Sequence, residues 1–277
     1  MTTNNWQEFD GIEVDLSSLP LAPREFSMKF EFAGPYINVN GFVECLGAKS
    51  ITFNSVEAGI QRTLRCLGYS SYAKYDRGSS VTVRFVEDSP SVLNPTLPTH
   101  TIPTDNRFKL DGVPFSDFNV RILKGSEASA ICPSDNKQYL TRASKFTTGQ
   151  TYDEGGYKVM KERNVTLQCL LTASSLSEFY KFYNGLFHKL VYENSSVSDP
   201  TLACERELSV SVNNASHKCF FKGQSVNAFA PFGSNKIWCQ FGLTLCVLND
   251  TLYFFDLLLA AENDYLVITE DGKLIKV

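Results

Sequence analysis

Apolar and polar positions alternate most clearly from Arg163 to Leu171, where Val165, Leu167, Cys169 and Leu171 fall on one side and mostly polar neighbours on the other. Period two is the signature of a half-buried strand, so the face carrying those four residues is expected to meet the core. Ser175-Leu176-Ser177-Glu178 follows as a capping box: a serine oxygen can accept from the N3 backbone N–H while the glutamate reaches back to the cap. A helix is therefore expected over 175–190. Leu176, Phe179, Tyr180, Tyr183, Phe187 and Leu190 recur at steps of three and four, an aromatic stripe that needs a sheet to lie on. Each of these aromatics, taken singly, reads as core packing before ligand contact.

The same patterns organise the rest of the chain. Phe26, Met28 and Phe30 alternate with polar residues between Arg24 and Glu31, as in an amphipathic strand. Asn38-Val39-Asn40-Gly41 carries the chemistry of a chain reversal, which predicts a returning strand from Gly41 to Phe53. Asn54-Ser55-Val56-Glu57 resembles a second helix cap, and Val56, Ile60, Leu64 and Leu67 recur at helical steps before Gly68, which predicts a helix from Ser55 to Leu67. Val81, Val83 and Phe85 form a closing strand. Phe115–Leu123, Glu207–Val212, Cys219–Phe229 and Ile237–Leu248 read as further strands, with turns at Asn213-Asn214 and Phe232-Gly233-Ser234-Asn235. Tyr265–Thr269 and Lys273–Val277 flank Glu270-Asp271-Gly272, a strong hairpin signal.

At 277 residues the chain has room for two medium domains. Ser89–Asn106, with prolines at 90, 95, 98 and 103 and no periodicity, is the expected boundary, either an extended linker or a connector that hugs the surface. This divides the chain into an N-terminal strand–helix–strand unit (1–88), the linker (89–106) and a larger unit (107–277). The larger unit contains the 175–190 helix, a long loop or projecting hairpin over 125–161 and a C-terminal hairpin at 265–277. Phe9-Asp10-Gly11-Ile12 is echoed by Leu110-Asp111-Gly112-Val113. Each echo precedes an arginine-headed strand (Arg24–Phe32, Arg163–Leu171), a capped helix and closing strand, which is the order a degenerate tandem duplication would leave. Two unrelated domains sharing one supersecondary pattern give the same reading. The fold class expected is mainly β (α+β), two β-sandwich-like units each with a packed helix.

Composition narrows the function classes. The hydrophobic content of 43% with 20% charged residues belongs to a folded globular chain. A net charge of -4 argues against a broad nucleic-acid-binding face. No apolar run approaches the ~20 residues of a membrane span, and Met1–Asp10 lacks the pattern of a secretory signal. Cysteines at 45, 66, 132, 169, 204, 219, 239 and 246 contain no C-x-x-C pair, so zinc clusters are not expected and free thiols acting as small core hydrophobes are. Sequons at Asn164, Asn194, Asn214 and Asn249 carry little weight, since the first lies in a core strand. His100, His188 and His217 lie in no Ser, Cys or carboxylate signature, and His188 reads as a helix-end cation or a partly buried polar tip. Gly41–Lys49 misses the spacing of a phosphate loop, and Asp-Gly at 10, 111 and 271 reads as turn chemistry. No catalytic, cofactor-binding or metal-binding residue is assigned; a structural or binding protein is expected, and no enzyme.

From Leu110 onward the sequence resembles the distal tail proteins of long-tailed phages and the wider group of tail-tube and baseplate proteins. The resemblance rests on Leu110-Asp111-Gly112-Val113 leading into Phe115–Leu123, on Arg163-Asn164-Val165-Thr166-Leu167, on the helix with Tyr183-Asn184-Gly185-Leu186-Phe187, on Lys218-Cys219-Phe220-Phe221-Lys222-Gly223, and on Leu266–Gly272. These are patterns of strand and helix more than fixed residues, and they cover about 108–277; the family usually begins with its tube-like domain, whereas this chain places another unit first. The resemblance implies a tail-tube-like β-sandwich with a flanking helix, assembled as a ring, commonly of six copies, in the virion tail after assembly in the bacterial host cytoplasm. Its partners would be tube, tape-measure, hub and receptor-binding proteins, with no specific nucleic acid binding and no membrane insertion. The 125–161 segment, with Lys137, Arg142, Lys145 and Lys158 beside Asp135, Asp153 and Glu154, is the candidate arm between copies, a solvated loop being its plainer reading. Two other classes compete: a carbohydrate-binding β-sandwich module, in which Tyr69, Tyr72, Tyr75 and Trp238 would stack on sugar rings, and a hydrolase whose residues meet only in the fold.

Overall fold

The computed structural model describes residues 3–5, 11–33, 39–47, 50–135, 137, 141–143, 148–152, 160–192, 197–231, 236–248, 267–268 and 274–275. The chain is mainly β, built on a four-stranded and a seven-stranded antiparallel sheet. Near the N-terminus Thr3–Asn4 (β1) pairs with Glu13–Val14 (β2). Leu16, on the segment that follows, is buried with Phe220, Cys204 and Cys246 of the larger unit.

The four-stranded sheet contains β3 (Arg24–Ala33), β4 (Ile51–Ser55), β5 (Ile60–Tyr75) and β6 (Gly78–Glu87), in the order β3-β6-β5-β4. Its helix, α1, spans Val39–Gly47, where a chain reversal and a strand are expected from sequence. Phe42, Val43 and Leu46 of α1 lie at helical spacing against the sheet, and the Phe42 ring meets Phe30 and Phe32 edge-on at 5.2 and 5.1 Å. Packing of those rings overrides a turn signal that is only local. The helix expected over 55–67 is absent. Ser55 Oγ does accept from the Ala58 N–H at 3.4 Å, as a cap would, but Gly59 at φ +64° turns the chain into β5. Ile60 and Leu64 are four apart, a spacing that puts both on one face of either a helix or a strand. Leu67, three beyond Leu64, fits only the helix and is 37% exposed, and Val56, in the turn before β5, is 86% exposed.

The larger sheet runs β8-β7-β13-β14-β15-β12-β9. Phe108–Leu110 (β7) and Val113–Pro114 (β8) form a tight hairpin through Asp111-Gly112, both at positive φ, a two-residue turn whose twist suits antiparallel strands. The expected continuous strand over Phe115–Leu123 is interrupted. A 3₁₀ turn, Phe115–Phe118, ends at Asn119 with φ 54°, and only Val120–Ile122 (β9) is strand. β8 and β9 lie on opposite edges, six inter-strand steps or about 29 Å apart in a flat sheet. The chain from Pro114 to Val120 reaches no more than about 22 Å. The sheet must therefore curl.

After β9, Ser126–Ile131 (α2) occupies the start of the segment read from sequence as loop, and Thr141–Ala143 (β10) pairs with Gln150–Tyr152 (β11) as a small hairpin. Arg163–Ala173 (β12) buries Val165, Leu167, Cys169 and Leu171, as its alternation requires. Leu176–Val191 (α3) is capped as expected: Ser175 Oγ accepts from the Glu178 N–H at 3.2 Å, while the Glu178 carboxylate reaches one residue further back, to the Ser174 N–H at 2.7 Å. Its buried stripe is wider than the sequence pattern, since Phe182 and Leu186 are fully buried beside Phe179, Phe187 and Leu190. Arg206–Val210 (β13), Ala215–Ala230 (β14) and Ile237–Val247 (β15) complete the sheet, with Asn214 at φ 50° in the turn before β14. The turn expected at 232–235 lies outside the described residues. Val267–Ile268 (β16) pairs with Leu274–Ile275 (β17), as the C-terminal hairpin signal predicts.

The two sheets share a plan. β3-α1-β4-β5-β6 is matched in chain order by β12-α3-β13-β14-β15, and in space β3-β6-β5-β4 is matched by β12-β15-β14-β13. β4 and β13 each have 5 residues, β5 and β14 each have 16, and the first bulge of both long strands ends on a glycine, between Cys66 and Gly68 and between Phe221 and Gly223. The Asp-Gly echo is not part of this match, because Asp111-Gly112 makes the β7–β8 turn whereas Gly11 donates to Met160 O at 2.8 Å. The 89–106 connector hugs the larger unit: Val92 and Ile102 are buried, and Leu97 crosses α3 at Gly185, where a Cβ would stand 2.4 Å from Leu97 Cδ2.

Candidate functional site

The feature that most separates the two matched sheets is what lies on their edges. In the larger sheet β12 is flanked by β9 over Cys169–Leu171, and β13 by β7 over Leu208–Val210. Beyond β9 the free edge of β12 is closed by α2: Ser126 Oγ accepts from Gln168 N and Ser129 Oγ from Thr166 N, both at 2.9 Å, and the Arg163 guanidinium donates to the Ser129 and Ala130 carbonyls at 3.0 and 2.9 Å. A helix here replaces a neighbouring strand as the partner of exposed amides, which removes a template for pairing. In the smaller sheet the corresponding strands β3 and β4 pair with no further strand among the described residues. β3 is ten residues long, turns Phe26, Met28, Phe30 and Phe32 toward the core, and carries Glu25, Ser27, Lys29 and Glu31 on the other face, with a Lys29–Glu31 ion pair of 2.7 Å. Its exposed edge has the length of a pairing strand and the charge of a managed one.

The candidate arm is partly internal. Lys137 is buried and donates to Gly11 O at 2.7 Å, so it anchors the N-terminal segment and does not project. Lys145, Lys158, Asp153 and Glu154 lie outside the described residues. The aromatics considered for sugar stacking are not brought together either. Tyr69 and Tyr72 stand opposite Val83 and Val81 and share the face of Met28 and Phe30, Tyr75 pairs with Gly78 on the opposite face, and Trp238 belongs to β15 in the other sheet. No single platform of the four exists.

Each histidine has a structural partner. His100 Nδ1 lies 2.9 Å from Ile102 O, His188 stacks on Tyr192 at 4.6 Å, and His217 Nε2 lies 3.4 Å from Arg163. Burial, and then the nearby Arg206, hold the His188 pKa below its ordinary value, so it is a neutral, partly buried tip and not a helix-end cation. Cys169, Cys204, Cys219, Cys239 and Cys246 are buried free thiols, as expected, while Cys45 and Cys132 are exposed. Burial raises the Cys239 thiol to about 11 and those of Cys169 and Cys219 further, which keeps them protonated and unreactive. Among the described residues no group of three or more His, Cys, Asp or Glu could hold a metal ion, and no helix is long and apolar enough to cross a membrane.

A second feature, with no counterpart in the sequence pattern, is a cleft of about 380 Å³ lined by the start of the smaller sheet, α3 and β14. No protein-family model, curated protein or solved structure matches the chain.

Proposed function

We propose that this chain is a non-enzymatic structural component of a phage or prophage tail, most like a distal tail or baseplate-hub ring protein that joins the tail tube to the host-recognition apparatus. The observation that carries the reading is the contrast in edges: of two sheets with one plan, the larger has its outer matched strands β12 and β13 flanked by short inserted strands, whereas β3 and β4 of the smaller pair with no further strand among the described residues. A sheet with two unlike open edges, β3 and β4, can join head to tail with the next copy, and such heterologous contacts close into a ring when the rotation per copy divides the circle. Six copies is the number the family resemblance implies. A tail-tube-like ring of this kind leaves the larger sheet free to meet the tube, tape-measure, hub and receptor-binding proteins. A net charge of -4 suits a conduit that passes DNA without holding it, because attraction would add a salt-dependent drag.

Light scattering and negative-stain imaging of the full chain across rising concentrations test the reading, with annular particles expected. Ser27→Pro and Met28→Pro sharpen it. The N–H groups of adjacent strand residues point to opposite sides, so one variant breaks the β3–β6 ladder and the other spares the ladder and removes a donor from the open edge. The variant whose N–H faces the open edge should keep the far-UV spectrum of the parent and lose the rings. Rings that persist in both variants exclude β3 as the joining edge.

A further inference from the structure

We propose that the cleft beside α3 binds an anionic amphiphile, a carboxylate or similar monoanion carried on an apolar chain. The walls and the charge at the mouth argue for the two halves of such a ligand separately. The walls are aromatic: Phe179 and Phe187 of α3, Phe229 of β14 and Phe26 of β3 face the space, with Val92 of the connector behind them. Phe179 lies 5.2 Å from Phe229 and Phe187 lies 5.7 Å from Phe221, so rings from helix and sheet enclose one apolar trough. Its volume is within the lower part of the range that small-molecule sites occupy.

The charge is unbalanced. Arg24 stands directly across from Glu87 on the β3–β6 ladder, but the Glu87 carboxylate is committed to Arg62, whose Nη1 donates to it at 2.7 Å. That ion pair is well shielded, with side chains 17% and 6% exposed, and Arg62 is further held 5.4 Å over the Phe26 ring. Arg24 makes no ion pair with a described residue, and no carboxylate of a described residue lines the cleft. Two guanidiniums against one carboxylate leave a net positive charge facing an apolar trough, an arrangement that one monoanion neutralises. The hydroxyls agree with an anion. Tyr183 Oη accepts from Gln224 Nε2, which leaves its own proton to donate, and Tyr180 Oη makes no hydrogen bond with a described residue. Burial raises the pKa of both tyrosines, so both protons are present at neutral pH.

The inference is independent of the ring reading, and its test is binding. The full chain is titrated by calorimetry with decanoate, with decan-1-ol of equal chain length, and with decylamine, all below their micelle concentrations. Saturable binding of decanoate at one site per chain is expected, at least about tenfold tighter than decan-1-ol, with decylamine weaker still. Arg24→Met should lose about tenfold for decanoate and nothing for decan-1-ol, while Lys29→Met, which removes a cation outside the cleft, should change neither. Tyr183→Phe keeps the ring and removes the donor, and serves if Arg24→Met proves unfolded by circular dichroism; a loss confined to decanoate is expected of it also. Absence of saturable decanoate binding, equal affinity for alcohol or amine, or equal losses in Arg24→Met and Lys29→Met would overturn the proposal.

Discussion

Asn119 shows how much one residue can hold. It is fully buried with φ 54°, its Oδ1 accepts from Thr101 N at 2.8 Å and Ile102 N at 3.2 Å, and its Nδ2 donates to Thr172 O. The connector, the 3₁₀ turn and β12 meet at this side chain. Asn tolerates the left-handed region better than most residues, and its amide matches donors and acceptors that would otherwise be buried without partners. Asn119→Gly keeps the backbone conformation and loses the side-chain bonds, which should cost about 3 kcal/mol in urea unfolding. Asn119→Ala should cost about 1 kcal/mol more, the added penalty of a Cβ at positive φ. Equal losses would mean the backbone conformation carries no strain. A few residues away, Arg107 hydrogen-bonds Asp105 through Nε and Nη2 and reaches Glu127. The Arg107 hydrogen bond, outweighing partial burial, holds the Asp105 carboxyl below its ordinary 3.8. A carboxyl lowered in the folded state contributes stability that is complete above the unfolded value and is lost as pH falls through the folded one. The urea midpoint should therefore drop more steeply below pH 4 in the parent than in Arg107→Met, in which that slope should flatten.

Elements differ in how plainly the sequence announces them. β12 and α3 were legible because each has one buried side, so period two and period 3.6 appear in Val165–Leu171 and in Phe179–Leu190 without interruption. β3 was legible for the same reason. The α1–β4–β5 region is ambiguous in sequence because Ile60 and Leu64 fit both periods, and what decides between them is Phe42 reaching Phe30 and Phe32 across the sheet. α2 left no apolar signal at all, since its task is polar: two serines three apart meet two backbone amides of β12. The cleft was illegible in a different way, because Arg24, Arg62 and Glu87 come from three strands and become neighbours only through antiparallel register. Ser126→Ala with Ser129→Ala tests the role of α2. The Gln168 and Thr166 N–H groups lose their acceptors, and the pair should cost about 2 kcal/mol. Amide exchange at those two residues should accelerate well beyond that of Val165 and Leu167; uniform acceleration along β12 would instead mean global destabilisation.

Across the whole molecule the two sheets are unequal in what holds them. The smaller has Leu64, Val81, Val83 and Phe85 as its fully buried set, with Phe26, Met28, Phe30 and Phe32 only half covered. The larger buries side chains from every one of its long strands, from α3 and from the connector. At about 25 cal/mol per Å² of apolar area, half-covered phenylalanines leave much of their hydrophobic stabilisation unrealised. The smaller sheet should therefore unfold first, at a urea concentration where the larger one is intact, and hydrogen exchange should show it as protection lost in 60–87 before 163–173. If copies join through β3 and β4, association stabilises this sheet by mass action and leaves the other unaffected. The first transition should then move to higher urea as protein concentration rises while the second stays fixed, and the edge-facing proline variant should abolish that shift. Asn119→Gly should do the reverse, lowering the second transition and leaving the concentration dependence of the first. Two transitions that move together with concentration would place the contact between copies on the larger sheet, and a first transition indifferent to concentration would mean that the open edges of the smaller sheet have some other use.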